Sequence, residues 1–283
     1  INAEYGDEME KINPIILEIL RQHADVSDIQ LIKTQAEKHV LGLSSCIAKV
    51  YEPIYMNDTS SPTLEADAHV FMQSRFRSPK LLKKIDSNGY QILLIEKIPG
   101  QICTNSLPLI KFVQFVIEYS YAAKCDFDDV FSETQLLKKA YNYMTANFSG
   151  QDFSYFLNHD PDLLLKGTSV GWVHGDIYHP NIIQNEQQLY IIDYGDAYHG
   201  YLLIDLAISI CEIIFNEETF IGMTEDVKQE LNRYLKAQKL TMDQFQELMA
   251  IAMLRFIYYC YDGSNCIFTQ RYKFLTQNKS LFK

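Results

Sequence analysis

Asp176, Asn181 and Asp193 stand close together in one part of the sequence. The first two lie in Trp172-Val173-His174-Gly175-Asp176-Ile177-Tyr178-His179-Pro180-Asn181-Ile182-Ile183 and the third in Tyr190-Ile191-Ile192-Asp193-Tyr194-Gly195-Asp196. All three offer hard oxygen atoms of the kind that magnesium selects. Phosphoryl transfer asks for such a set, because it needs an acceptor oxygen held in line and the polyphosphate charge neutralised by divalent ions. One carboxylate would orient the acceptor hydroxyl and take its proton, while the Asn and the second Asp hold the metal. A single Asp in a loop is commonly a cap or turn residue, so the ordered set carries the reading and no member does alone. His174 is expected to fix the loop through backbone hydrogen bonding, and His179-Pro180 to shape the turn ahead of Asn181, since imidazole is a poor magnesium ligand.

The surrounding pattern shows what must position these groups. Two short apolar runs, 182–184 and 189–192, joined by Asn185-Glu186-Gln187, predict a hairpin that returns Asp193 toward Asp176 and Asn181. Upstream, Pro14 and the spacing of Ile15, Ile16, Ile19 and Leu20 predict a helix over 13–23. Strands follow over 29–33, 38–43 and 46–51, then a helix over 63–76. Strands over 81–85 and 91–96 are paired around the turn Ser87-Asn88-Gly89. After Gly100 the period becomes helical, over 107–124, 133–148 and 153–165. A β-rich island spans 171–192, and helices resume over 201–215, 225–236 and 242–261. The expected class is therefore α+β, with residues 1–97 as an antiparallel-sheet lobe and 98–283 as a larger, mainly helical lobe.

The chain has 283 residues, of which 47% are hydrophobic, enough to fill a sizeable core. No apolar run approaches the roughly 18 residues of a membrane span, and the N-terminal region lacks a basic stretch followed by an apolar one, so a cytoplasmic protein is expected. The six cysteines are scattered without a CxxC pair and read as reduced core thiols. A net charge of −11 disfavours binding to a phosphate backbone, so nucleic acid is not an expected partner.

On His174-Gly175-Asp176, Asn181, Ile192-Asp193, Gly195-Asp196-Ala197 and Asp205-Leu206-Ala207, the sequence resembles the aminoglycoside phosphotransferase and choline kinase family. The resemblance implies the two-lobed protein-kinase-like fold, with ATP and Mg²⁺ as cofactors. It puts Asp176 as the catalytic base and Asn181 and Asp193 as the metal ligands. Leu93-Leu94-Ile95-Glu96-Lys97-Ile98-Pro99-Gly100 is similar to the family's connector between lobes, whose backbone meets the adenine, which places Glu96 and Ile98 at the nucleotide. Lys49 matches the lysine that contacts the α- and β-phosphates, and Glu65 its ion-pair partner. One departure is plain: 33–39, where the family often has glycines over the phosphates, contains none.

Only a dozen residues separate Asp193 from Asp205 and no Ala-Pro-Glu segment follows, which favours a small-molecule hydroxyl acceptor over a protein. Asp193 to Tyr201 looks most like the hydroxylysine kinase and homoserine kinase branches. The acceptor classes in view are amino alcohols, hydroxy amino acids, sugars and aminoglycosides. For such an acceptor Asp196 and Glu212 could pair with an ammonium group, Tyr258 could offer an aromatic face, and Arg255 could hold a carboxylate. The aromatics of 254–261 recur at helical spacing, which fits core packing better than a ligand site, and a structural salt bridge fits Arg255 better than a carboxylate clamp. The rival readings are a nucleotide-binding pseudoenzyme serving as an interaction module, motivated by the glycine-free loop, and a protein kinase.

Overall fold

The computed structural model describes residues 12–35, 38–53, 61–103, 107–186, 188–217, 219–263, 266–278 and 281. The chain divides into two compact units, Ile1–Ile102 with Ile182–Ala197, and Cys103–Asn181 with Tyr198–Lys283.

The first unit is built on an antiparallel sheet. It contains α1 (Pro14–Arg21), β1 (Gln30–Gln35), β2 (Lys38–Gly42), β3 (Cys46–Tyr51), α2 (Pro62–Met72), β4 (Leu81–Ser87) and β5 (Tyr90–Glu96), in the sheet order β1-β2-β3-β5-β4. Asn88 and Gly89 both take positive φ, 53° and 82°, as the tight turn between β4 and β5 requires. Strand alternation sorts the side chains onto two faces. Ala48, Val50, Ile92 and Leu94 pack with Ile16, Ile19 and Leu20 of α1, whereas Tyr51, Leu93 and Ile95 pack with Ala66 of α2. Lys49, between Ala48 and Val50, is thereby turned to the face that α2 covers. Each helix is capped by its own sequence, Asn13 accepting from Ile15 N–H at 3.0 Å and Ser61 from Leu64 N–H at 3.1 Å, with Pro14 and Pro62 opening the first turns.

The boundary expected near residue 97 lies a few residues later, and the segment 182–197, expected in the helical lobe, belongs to the first unit. Its strand Ile182–Asn185 pairs with Gln101–Ile102 and with Gln188–Ile191 in a three-stranded sheet. Arg77 ties it further, its Nε donating to Leu189 O and its carbonyl accepting from Ile191 N–H, both at 3.0 Å.

The second unit is mainly helical, with α3 (Leu109–Ala123), α4 (Glu133–Asn147), α5 (Pro161–Leu165), α6 (Leu203–Ile214), α7 (Glu225–Ala237), α8 (Met242–Cys260) and α9 (Ile267–Gln277). Its core is organised on α6, apolar around nearly its whole circumference and buried at eleven of twelve positions, which only a helix surrounded by protein can be. The helix α6 packs on α3 and α8, and α9 packs on α8. The single helix expected over 153–165 is instead a 3₁₀ turn, Ser154–Leu157, followed by α5. Pro161 cannot continue a helix, and Asp160 caps the new one by accepting from Leu163 N–H at 3.2 Å. The strand Tyr198–Tyr201, paired antiparallel with Val170–Val173, and the helix α9 are additions to the sequence reading. Among the described residues no helix is long and apolar enough to cross a membrane.

Candidate active site

In the first unit the structure brings Lys49, Glu65 and Asp193 together. Lys49 points from β3 toward the first turn of α2, where its Nζ donates to Glu65 Oε1, and it also donates to Asp193 Oδ1 at 2.5 Å. Tyr51, two residues along the same face, donates its hydroxyl to the other Glu65 oxygen. Lys49 is 5% exposed and Glu65 fully buried, so neither charge is a solvated surface group. Burial acts most strongly on the Lys49 ammonium and pulls its pKa down, but the carboxylates of Asp193 and Glu65 overcome it and leave the pKa raised. Burial likewise pushes Glu65 up most, yet Lys49 and the hydrogen bond from His69 prevail and hold it lowered. Both groups are therefore ionised at neutral pH.

Asp193 follows the last strand of the three-stranded sheet and sits in the left-handed region at φ 66°. A non-glycine residue there is strained, and Asp tolerates it because its carboxylate bonds locally. Here Oδ1 accepts from Gly195 N–H at 3.3 Å. The same oxygen lies 3.7 Å from the ammonium of Lys38, a residue that the sequence reading passed over.

In the second unit the structure brings Asp176 and Asn181 together. The loop that carries them is anchored on α6: buried Asp205 accepts from His174 N–H at 2.7 Å and Gly175 N–H at 2.8 Å, and Ser209 Oγ donates to Ile177 O at 2.9 Å. Gly175 adopts φ 85°, which a side chain would disfavour, and this conformation lets two successive amides face one carboxylate. The Asp205 carboxyl is pushed up to about 7 by burial, with the two amide hydrogen bonds acting against the shift. His174, wholly buried, accepts from Asp176 N–H at 3.3 Å through Nδ1, the loop-fixing role expected of it. His179 and Pro180 form the 3₁₀ turn that ends in Asn181, and burial pulls the His179 pKa down. Asn181 Nδ2 donates to both the carbonyl and the carboxylate of Asp176 at 2.9 Å. With its amide nitrogen so used, Asn181 offers its oxygen to a cation.

The remaining candidates are placed as follows. Glu96 is half-buried at the end of β5, its carboxylate accepting from Lys80 N–H at 3.1 Å, and Ile98 is half-buried just beyond it. Asp196 is exposed in the first unit. In the second unit Glu212 pairs with Arg271 at 2.9 Å, and Tyr258 meets Tyr143 edge-on with ring centroids 5.7 Å apart. Arg255 is buried, its guanidinium donating to Glu133 at 2.6 Å and to the Tyr198 hydroxyl at 3.0 Å, while that hydroxyl donates to the other Glu133 oxygen at 2.8 Å. Such a closed triad is the structural ion pair rather than a free carboxylate clamp.

Asn181 in the second unit and Asp193 in the first each carry a side-chain oxygen of the hard kind that magnesium takes, and in the first unit Lys49 and Lys38 lie beside Asp193. Among the described residues no cluster of three or more His, Cys, Asp or Glu side chains gathers to cage a metal. Magnesium bound through one or two protein oxygens plus phosphates needs none.

The fold is that of the protein-kinase-like small-molecule kinases. The structure matches choline kinase LicA from Streptococcus pneumoniae with a TM-score of 0.67 at 14% identity, covering 95% of this chain and 98% of that one. It matches a putative fructosamine-3-kinase from Haemophilus somnus 129PT with a TM-score of 0.60 at 14% identity, covering 98% and 99%. A third match is the streptomycin–ATP ternary complex of the phosphotransferase APH(2")-IIa, with a TM-score of 0.62 at 13% identity, covering 96% and 98%. Residues 125–248 match the model of the phosphotransferase enzyme family, APH, and that match with the fold bears out the resemblance to the aminoglycoside phosphotransferase and choline kinase family. No curated protein sequence matches the chain.

Proposed function

We propose that this chain transfers the γ-phosphate of ATP to a hydroxyl group of a small molecule. The observation that carries the reading is the buried Lys49, held ionised between Glu65 and Asp193 in the sheet unit. A buried ammonium fixed by two carboxylates is a pre-oriented phosphate ligand, since its aim is set before the nucleotide arrives. Bound magnesium would neutralise the triphosphate, with Asn181 and Asp193 as its protein ligands. Asp176, whose carboxylate is steadied by the Asn181 amide, orients the acceptor hydroxyl and takes its proton as the new O–P bond forms and the bond between the γ-phosphorus and the bridging oxygen breaks, leaving ADP. The backbone around Glu96 and Ile98 receives the adenine. ATP as the donor is supported by the ATP bound in the APH(2")-IIa neighbour.

For the acceptor, the helical unit contains a cavity of about 400 Å³ lined by Leu107, Leu109, His179, Glu212, Phe215 and Ile221, a size suited to a small ligand. Its lining mixes polar groups, His179, Asn216 and the Arg271-paired Glu212, with apolar ones, which suits a small polar acceptor such as an amino alcohol, hydroxy amino acid or sugar. The test is Asp193→Asn. The variant should lose turnover and bind magnesium–ATP far more weakly, and unchanged activity would remove the core of the assignment.

A further inference from the structure

The expected phosphate loop has no glycine, and the structure holds a second cation where that loop ends. Lys38 is the first residue of β2, opposite Tyr51 of β3. Its side chain is only 11% exposed and runs over the Tyr51 ring, with Nζ 5.4 Å from the ring centroid. The ammonium lies 3.7 Å from Asp193 Oδ1, the oxygen to which Lys49 donates at 2.5 Å. It lies close over Gly195, where a Cβ would come within 2.4 Å of Lys38 Nζ. One carboxylate oxygen thus faces two nearly buried ammonium groups, more cation than a structural ion pair needs, and burying an ammonium is costly unless its charge is used.

We propose that Lys38 is a second phosphate-binding cation that grips the β- and γ-phosphates of the nucleotide beside Lys49 on the α- and β-phosphates, and takes the place of the backbone amides of a glycine-rich loop. The charge count supports this role. Lys38 and Lys49 balance Glu65 and Asp193, so the resting cluster is neutral. Were the Asp193 carboxylate to hold a divalent metal, Lys38 would be freed to face the triphosphate while Glu65 keeps Lys49 in place, and the cluster with one such ion would carry two surplus positive charges. A point-charge ammonium on a flexible stem suits this exchange of partners. The inference rests on the nucleotide-dependent function proposed above and adds a residue to it.

The test is equilibrium titration of wild type, Lys38→Met and Lys38→Arg with magnesium–ATP, magnesium–ADP and AMP, after thermal unfolding has shown each protein folded. A charge-assisted phosphate contact corresponds to roughly a 10- to 100-fold change in affinity. Lys38→Met should therefore bind ATP about that much more weakly, ADP by a smaller factor, and AMP within about twofold of wild type, while Lys38→Arg keeps most of the ATP affinity. An ATP affinity unchanged in Lys38→Met, or losses equal for ATP and AMP, would overturn the role of Lys38 alone. A wild type that binds no nucleotide would overturn the proposed function and this inference with it.

Discussion

Arg255 offers a sharp test of whether geometry or residue type should decide a role. Its side chain is 7% exposed and that of Glu133 1%, and the two meet at 2.6 Å with Tyr198 closing the triad. Arg255→Met keeps much of the side-chain volume but leaves the Glu133 carboxylate buried without its cation. Removing one member of a buried pair costs about 3–5 kcal/mol. With about 2.1 cal/mol/K of unfolding entropy per residue over 283 residues, the slope is roughly 0.6 kcal/mol per degree, so the melting temperature should fall by about 5–8 °C. The double variant with Glu133→Gln removes the stranded charge and leaves a neutral hydrogen bond to Tyr198. It should therefore lose less than the sum of the two single variants, by at least about 1 kcal/mol. Circular dichroism melts and urea titrations of the four proteins give the cycle, and KM for the acceptor in the folded fraction should not move. Strictly additive losses, or an unchanged melt with a raised acceptor KM, would refute the structural assignment and return Arg255 to the acceptor site.

Glu65→Gln should raise KM for ATP and lower thermal stability by a few kcal/mol, because Lys49 keeps its burial and loses a charged partner; steady-state kinetics and melts check both. Asp205 carries a raised pKa of about 7 against 3.8 for an ordinary carboxyl, so its contribution to stability is present below about pH 4 and is lost as pH rises through about 7. The stability of wild type relative to Asp205→Asn should thus be greater at pH 5 than at pH 8, by roughly 2–3 kcal/mol at about 1.4 per pKa unit, and a difference that grows with pH would contradict the burial argument. Gly171→Ala should destabilise by about 1–3 kcal/mol or more, since its Cβ would sit 2.3 Å from the Ala123 carbonyl oxygen, a backbone atom that cannot step aside.

Much of the sheet unit was legible because its signals are local. Alternation around Ala48-Lys49-Val50, the Asn88-Gly89 turn and the prolines at 14 and 62 each act over a few residues, and the elements they predict are present with shifted ends. The helix predicted over 153–165 failed on an equally local signal, the Asp160-Pro161 pair, which broke a pattern that apolar spacing had carried across it. What could not be read depends on pairings distant in sequence. Lys38 gains its meaning from Asp193, and Arg255 from Glu133, 122 residues away. Nothing near Lys38 distinguishes it from a solvated strand lysine, although a charge ending the glycine-free segment was a clue. The role of Asp205 likewise depends on distant partners, the amides of His174 and Gly175 that donate to its carboxylate. The strand Tyr198–Tyr201 is short and takes its pairing from Val170–Val173 across a gap that local pattern does not bridge.

The central claim is that Asp176 serves phosphoryl transfer to a small hydroxyl acceptor. Its most direct test is single-turnover transfer from γ-labelled ATP to a panel of amino alcohols, hydroxy amino acids, sugars and aminoglycosides, run on wild type and Asp176→Asn beside nucleotide titrations of both. Wild type should label at least one acceptor. Asp176→Asn should bind magnesium–ATP as wild type does and transfer at least about 10²–10⁴ times more slowly, the share a positioned general base supplies. Tight nucleotide binding by wild type with no transfer to any acceptor, or undiminished transfer by Asp176→Asn, would contradict it.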